Sequence, residues 1–250
     1  MHRRHLLKAM GALALCPLCA TVGAAAEGPH WSYEGDTGPD KWGSLGGDGN
    51  VCSSGTQQSP VDISADMRAA LPPLDVNWAR KADTIVNNGH TIQVGFNDGG
   101  TLRAGRDIYR LKQFHFHHPS EHTIDGRRAA MEVHFVHEGE GGALGVVGVL
   151  MRQGRPNRVF ARIAETMPAK EGPAVPADPA IDPYGLTPFG GDYVRYAGSL
   201  TTPPCSETVA WMVLLRPIDV AASDIDAFAK LFSNNARPVQ KLNRRFLLRS

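Results

Sequence analysis

The chain has 250 residues, of which 42% are hydrophobic and 20% are charged, a composition typical of a soluble globular protein with one sizeable core. Its 26 basic and 25 acidic residues leave a formal charge of +1, which excludes a general electrostatic attraction to nucleic acid or to an anionic membrane. We therefore expect one folded domain and no nucleic-acid partner.

The first 26 residues are predicted to be an export signal. A basic head is followed by a modest apolar stretch and then by a run of small residues. Arg3 and Arg4 resemble the twin-arginine export motif, and a general secretory signal is the alternative. The mature protein is then the domain 27–250, which is periplasmic or secreted and has no membrane anchor.

Five β-type segments follow, separated by turn signals. Residues 84–96 contain an Asn-Gly pair between β-prone runs, which predicts a hairpin. Further strands are predicted within 106–118, 129–139, 143–153 and 207–218. The last two contain continuous apolar runs, as expected for central strands that are covered on both faces.

Two helices are predicted from hydrophobic spacing. Residues 157–167 place apolar side chains at helical intervals behind Asn157, a residue that favours the N-cap position. In residues 223–233, Ser223 and Asp226 have the spacing of a capping box.

The segment 172–190 contains five prolines and several glycines, so we expect no regular structure there. No internal repeat or break in composition indicates a second domain. The predicted fold class is mainly β, in a single domain with a few peripheral helices.

The stretch "QFHFHHPSEH" holds four histidines and one glutamate. Because side chains alternate along a strand, Gln113, His115 and His117 share one face, while Phe114 and Phe116 share the other. Imidazoles at this density either satisfy a local hydrogen-bond network or bind a metal ion.

The strand "EVHFVH" favours the metal. Its alternation places Glu132, His134 and Val136 on one face, so pairing of the two strands would bring His134 beside His115 and His117. Three neutral imidazoles with one open position form the shell of a catalytic zinc ion, whose bound water is strongly acidified.

Each strand also carries a candidate to orient a ligand. Gln113 precedes His115 by two residues, and Glu132 precedes His134 by two. Each could accept the second ring N–H of that histidine, as residues around metal ligands commonly do.

Several motifs in one order resemble the α-class carbonic anhydrases of the exported bacterial type. They are "HWSYEG", "QQSPVDI", "NNGH", "QFHFHHPSEHTIDG", "MEVHFVH", "YAGSLTTPPCSETVAW" and "NNARPVQ", which span nearly the whole mature chain. The resemblance implies a largely antiparallel, twisted central sheet of about ten strands, with Zn²⁺ held by His115, His117 and His134 at the base of a conical cleft.

The resemblance also implies an activity, the reversible hydration of CO2 to bicarbonate and a proton by attack of zinc hydroxide on CO2. Thr201 corresponds to the gatekeeping threonine, which accepts a hydrogen bond from the hydroxide and donates one to Glu121. His90 corresponds to the proton shuttle, and an unperturbed imidazole with a pKa of about 6.5 suits that role. The protein would act on a small molecule, as a monomer or homodimer.

Other cleft residues are implied in two sets. The polar set would hold the water chain between zinc and shuttle, and the mostly apolar set would receive CO2. The polar set consists of Tyr33, Asn88 and Gln93, and the mostly apolar set consists of Val136, Val146, Leu200, Thr202 and Trp211. Gln93 stands where many relatives carry asparagine.

Cys52 and Cys205 are the cysteines that remain after the predicted signal. An even pair in an exported chain favours a disulfide, and two buried thiols are the alternative. The resemblance implies the disulfide, which would help to fix the Thr201 loop.

Two other classes of protein compete with this interpretation. The stretch "HFHHPSE" fits the His-x-His-x3-Glu core of cupin metalloenzymes, in which Glu121 would bind iron or manganese. The glycines expected around that motif are replaced by Tyr109 and Arg128. The second alternative is a non-catalytic zinc-holding or interaction protein on the same fold.

Overall fold

The computed structural model describes residues 30–46, 50–64, 66–188 and 190–250. The predicted export signal lies outside the described residues and stays a prediction. In the part of the chain that the structure describes, no helix combines the length and the apolar character needed to cross a lipid bilayer.

Strands dominate the described residues, which confirms the predicted fold class. In chain order they are β1 (Asp62–Ile63), β2 (Met67–Arg68), β3 (Leu74–Trp78), β4 (Thr84–Asn87), β5 (Ile92–Gly95), β6 (Gly100–Ala104), β7 (Asp107–His117), β8 (Thr123–Ile124), β9 (Arg127–Arg128), β10 (Met131–Gly139), β11 (Leu144–Gln153), β12 (Val175–Pro176), β13 (Tyr193–Gly198), β14 (Val209–Val220) and β15 (Leu248–Arg249). All five predicted β segments are present, and β4 and β5 form the predicted hairpin.

Twelve of the described strands form one mixed sheet. Ten of them follow the path β12-β4-β5-β7-β10-β11-β14-β13-β15-β2, and β3 and β6 pair beside this path. Pairing is antiparallel except between β11 and β14 and between β15 and β2. A separate three-stranded sheet joins β1, β8 and β9.

A bulge in β7 decides which side chains face the cleft. Val136 of β10 pairs with Gln113, whereas the next residue, His137, pairs with Leu111, so Lys112 is one residue extra on β7. Because one additional residue reverses the alternation of faces, Leu111 points into the main core while Gln113 points to the opposite side. The bulge therefore turns the remaining strand so that its histidines face away from the core.

Three α-helices lie beside the sheet in the described residues: α1 (Val51–Ser54), α2 (Arg158–Thr166) and α3 (Ala222–Ala229). Helix α2 confirms its prediction, since Asn157 Oδ1 accepts the N–H groups of Val159 and Phe160. The ring of Phe160 packs against Phe116 of β7 at 5.1 Å between centroids, so α2 covers the apolar face of the sheet.

The predicted capping box of α3 is wrong. The helix begins at Ala222 behind Ala221, which makes no side-chain cap, and the Ser223 hydroxyl bonds to the Asp224 carboxylate instead. Helix α3 still forms where hydrophobic spacing predicted a helix and buries Phe228, because packing against the core stabilises a helix more than its cap does.

Segment 172–190 contains more regular structure than its prolines suggested. Val175–Pro176 forms the edge strand β12, and Pro183–Leu186 forms a 3-10 helix whose first N–H group is capped by Asp182. Both are positions that tolerate proline, since an edge strand and the first turn of a helix have backbone N–H groups without partners. The remaining 3-10 helices of the described residues are Gly35–Thr37, Pro39–Ser44 and Glu140–Gly142.

Candidate metal centre

Three histidine rings meet where β7 and β10 pair. His134 lies directly opposite His115 in the antiparallel register, and His117 is two residues further along β7. One ring nitrogen from each of the three histidines lies within 4.8 Å of the others. The structure thus brings together the three residues that the sequence singled out as metal ligands.

Hydrogen bonds fix which nitrogen of each ring is free. His115 Nδ1–H donates to Gln113 Oε1 at 2.9 Å, and His134 Nε2–H donates to Glu132 Oε1 at 2.9 Å. These are the two partners expected from the sequence. They leave Nε2 of His115 and Nδ1 of His134 with lone pairs that face the common centre.

The partner of His117 was not predicted. Its Nδ1–H donates to the main-chain carbonyl of Asn235, at 2.7 Å. The Asn235 side chain in turn accepts the N–H of His118 and donates to the carbonyl of Phe116. A contact across 118 residues of chain leaves no local pattern in the sequence.

Buried polar atoms at the centre match a bound cation. Among the described residues, His117 Nε2 and Glu121 Oε2 are buried without a hydrogen-bond partner. Glu121 Oε2 lies 3.6 Å from His117 Nε2 and 3.9 Å from His134 Nδ1. Three nitrogen donors beside one carboxylate are a donor set and a charge that fit Zn²⁺.

The environment keeps the three imidazoles neutral, as ligands must be. Burial lowers the pKa of His117 to about 4, with the carbonyl of Asn235 opposing the change. Burial also lowers the pKa of His134 and, together with the neighbouring histidines, holds that of His115 well below its usual range. No proton therefore has to leave these rings at neutral pH before a metal binds.

Glu132 joins two histidines behind the centre. Its Oε1 accepts from His134 and from His122 Nδ1, and its Oε2 accepts the N–H groups of Glu121 and His122. Burial raises the pKa of Glu132, but the two histidines outweigh it and hold that pKa well below the usual range. A Cβ at Gly148 would lie 2.9 Å from Glu132 Oε1, so only glycine leaves room for this carboxylate.

Glu121 is held from two sides. The backbone N–H of Arg237 donates to Oε1 at 2.8 Å. Burial raises the pKa of Glu121, whereas His134, a hydrogen bond from the Thr201 side chain and the Arg237 N–H lower it. Glu121 therefore has interactions with a backbone amide and with Thr201 in addition to its proximity to the histidines.

A cleft of about 170 Å³ opens above the three rings. The predicted cleft residues all line it, namely Tyr33, Asn88, His90, Gln93, Gln113, Val136, Val146, Leu200, Thr201, Thr202 and Trp211. Trp31 and Thr91 line it as well and were not predicted. A larger cavity of about 330 Å³, around Val76, Val147 and Leu214, has no described histidine in its lining.

Three further histidines near the centre make structural contacts. His118 Nδ1 bonds to the carbonyl of Ser233, and His137 Nδ1 bonds to that of Gly145. His122 lies between Glu132 and the hydroxyl of Tyr196.

The Cys52–Cys205 disulfide is confirmed, with 5.0 Å between the two Cα atoms. The Cys205 N–H donates to the carbonyl of Thr202 at 2.9 Å, and the Cys205 carbonyl accepts from Gln58 Nε2 at 3.0 Å. The disulfide therefore anchors the loop that carries Thr201.

The chain is similar to known proteins of one family. The model of the eukaryotic-type carbonic anhydrase family matches residues 37–250. A carbonic anhydrase of Pectobacterium atrosepticum is 37% identical over 243 residues, which cover 97% of this chain and 100% of that protein.

Solved structures show the same similarity. The α-carbonic anhydrase of Thermovibrio ammonificans, solved with the inhibitor sulfanilamide, superposes with a TM-score of 0.86 at 40% identity, covering 89% of this chain and 100% of that one. Dioscorin, solved with ascorbate, superposes with a TM-score of 0.80 at 30% identity, covering 88% and 97%. Both share the overall fold of this chain.

Proposed function

The chain belongs to the eukaryotic-type, or α-class, carbonic anhydrase family, and from this premise we propose that it catalyses the zinc-dependent hydration of CO2 to bicarbonate and a proton. One observation carries the proposal. Nε2 of His115, Nε2 of His117 and Nδ1 of His134 face one point, and the second nitrogen of each ring is tied to an acceptor.

Zinc bound there would lower the pKa of its water to about 7, the value known for carbonic anhydrase, so that a nucleophile exists at neutral pH. The protein holds the ligands in a buried, fixed geometry. His117 and His134 are each 1% exposed, so the free nitrogens need no reorganisation to bind the metal.

Thr201 and Glu121 would orient the nucleophile. The Thr201 side chain lowers the pKa of Glu121, and a Thr201 hydroxyl that donates to this carboxylate would keep only its lone pairs for the oxygen beside it. Thr201 would then accept a hydrogen bond from that oxygen and so orient its lone pair towards the substrate. Such positioning of reacting atoms is a large part of catalysis.

The apolar side of the cleft would receive CO2. Val136, Val146, Leu200 and Trp211 line this side. The substrate is linear and has no dipole, so an apolar wall binds it without having to pay for the desolvation of strong polar groups. Thr202 lies beside this wall and offers a polar edge to the bicarbonate product.

His90 would carry the surplus proton to buffer. It lies in the cleft lining together with Asn88, Gln93 and Tyr33, the polar residues that would hold the connecting waters. Burial and the nearby Glu121 raise the pKa of Tyr33 well above its usual range, so this phenol stays a hydrogen-bond donor.

We also propose that the mature protein is exported to the periplasm or beyond the cell. The Cys52–Cys205 disulfide supports this location, since such bonds persist in oxidising compartments. The expected assembly, a monomer or a homodimer, and cleavage near residue 26 stay predictions.

The decisive experiment is a stopped-flow CO2 hydration assay on the purified mature protein, with and without a zinc chelator or a sulfonamide. We expect activity that both reagents abolish and that added Zn²⁺ restores after chelation. Oxygen consumption with bound iron or manganese would instead support a cupin-like oxidase. A zinc-loaded protein without hydration activity would support a non-catalytic role.

A further inference from the structure

His90 is held at the mouth of the cleft. Its imidazole stacks on the indole of Trp31, with 3.7 Å between ring centroids and 8° between planes. The backbone N–H of His90 donates to Asn88 Oδ1, and its backbone carbonyl accepts from Asn235 Nδ2, both at 3.0 Å. The backbone is thus fixed while the ring lies against Trp31 at the solvent side.

A carboxylate from another part of the chain lies over the same turn. A Cβ built on Gly89, the residue before His90, would lie 2.8 Å from Glu171 Oε2. Gly89 has a φ of +83°, a value that glycine adopts readily. The Glu171 carboxylate therefore occupies the space that a side chain at this turn would need.

Two hydrogen bonds hold the backbone on either side of Glu171 in place. The N–H of Gly172 donates to the carbonyl of Asn87 at 3.1 Å, and Asn87 Nδ2 donates to the carbonyl of Pro168 at 3.1 Å. Both ends of this loop are thereby tied to the end of β4, directly before the turn that carries His90. The backbone of the loop that carries Glu171 is therefore fixed beside the turn of His90.

The charges around His90 act in opposite directions. Burial lowers the pKa of its imidazole, Glu171 raises it, and His30 lowers it. Glu171 thus offsets part of the cost of protonating a half-buried ring. A proton carrier works best when its pKa lies near the working pH.

We propose that Glu171 is a positioning residue for proton transfer, whose carboxylate holds the protonated imidazole of His90 at the cleft mouth, against Trp31, where its proton leaves. This inference rests on the proposed function. His90 accepts one proton from the water chain and gives that proton to a buffer base, and Glu171 is neither the donor nor the acceptor in this transfer. The group that the Glu171 carboxylate binds is therefore the protonated imidazole of His90.

The test compares Glu171→Gln, which keeps the shape and removes the charge, with Glu171→Lys, which reverses the charge. Glu140→Gln is the matched control, because Glu140 is also exposed but lies in the 3-10 helix between β10 and β11. All are assayed as zinc-loaded protein in weak buffer and in concentrated imidazole buffer.

In weak buffer we expect kcat to fall about two- to fourfold in Glu171→Gln, the size typical of one exposed charge pair, and further in Glu171→Lys. The ratio kcat/KM, zinc content and the rate in concentrated imidazole should match those of the parent, as should all values for Glu140→Gln. NMR titration should show a lower pKa for His90 in both Glu171 variants. The difference should shrink in high salt, which screens exposed charges.

The same substitution in a His90→Ala background separates the possible failures. There, Glu171→Gln should have no effect, because the residue acts through His90. The inference is overturned if Glu171→Gln lowers kcat by the same factor in the His90→Ala background as in the parent. It is also overturned if Glu171→Gln alone changes neither kcat nor the pKa of His90. Both outcomes leave the proposed function intact. A parent protein without hydration activity, or His90→Ala without effect in weak buffer, refutes the proposed function or its shuttle instead.

Discussion

The base and the mouth of the cleft are built by different means. At the base, His117 and His134 are 1% exposed, and each has one ring nitrogen fixed by a buried acceptor. At the mouth, His90 is half-buried and its ring has one stacking contact, with Trp31. The base is organised for a fixed geometry and the mouth for exchange with solvent, so substitutions at the two ends should fail in different ways.

The largest effect should come from removing a ligand at the base. We expect His134→Ala to lose nearly all zinc and to lower CO2 hydration by roughly a thousandfold or more, because two imidazoles bind Zn²⁺ far more weakly than three and the reaction needs the bound metal. Metal analysis measures the bound zinc, and a stopped-flow assay measures the rate of CO2 hydration. His118→Ala, which removes a histidine bonded to Ser233, is the control and should keep zinc and activity. Retention of both by His134→Ala would remove the basis of the metal assignment.

Low pH should destabilise the metal-free protein. The pKa values of His117 and His137 are about 4 in the folded protein because both are buried, against about 6.5 in an unfolded chain. Between these pH values the unfolded state therefore binds more protons than the folded state. The free energy of unfolding falls as the pH drops from about 6.5 to about 4, by roughly 3 kcal/mol or less for each histidine. Glu121, whose pKa burial raises, opposes this loss in part.

Urea unfolding of the metal-free protein at pH 7.5, 5.5 and 4.5 measures the change. A constant or rising free energy of unfolding across this range would show that the buried rings are already charged or reach solvent.

Thr201 lies between the two ends and should separate chemistry from metal binding. We expect Thr201→Ala to lower kcat/KM by roughly a hundredfold, the size of effect that misplacement of reacting atoms can have, while zinc stays bound. Thr208→Ala, an exposed threonine on the same loop, is the control. If Thr201→Ala lost zinc as well, its role would be structural and not one of orientation.

Of these substitutions, the one at the mouth of the cleft should have the smallest effect on activity. His90→Ala should lower kcat about tenfold in weak buffer, since a lost general acid–base group is partly replaced by buffer. The ratio kcat/KM should stay the same, and added imidazole should restore part of the rate. An unchanged kcat in weak buffer would place the proton carrier elsewhere in the cleft.

The sequence predicted the base of the cleft more fully than its surroundings. Strand alternation was enough to place His115, His117 and His134 on one face, and spacing identified Gln113 and Glu132 as their hydrogen-bond partners. Alternation did not reveal that the extra residue Lys112 reverses the face of β7. A bulge depends on the pairing with the neighbouring strand, which a single strand's pattern does not contain.

Contacts between distant segments explain most of the remaining differences. The acceptor of His117 is a main-chain carbonyl at Asn235, and any residue type could supply one. Trp31 stacks on His90 through a contact between the N-terminal segment and the β4–β5 turn. The capping pattern at Ser223 failed for a local reason, because the helix begins one residue earlier, at Ala222, and its start is set by the end of β14.

The Cys52–Cys205 bond closes a covalent ring, and its 153-residue separation contains His90, the three ligand histidines, Glu121 and Thr201. A protease that cuts one surface loop inside this ring opens it without releasing a fragment, so both pieces stay tethered and can remain docked through the sheet. If the protein is exported as we propose, this topology would make a single nick survivable, whereas the same nick after reduction would leave two polypeptides with no covalent link.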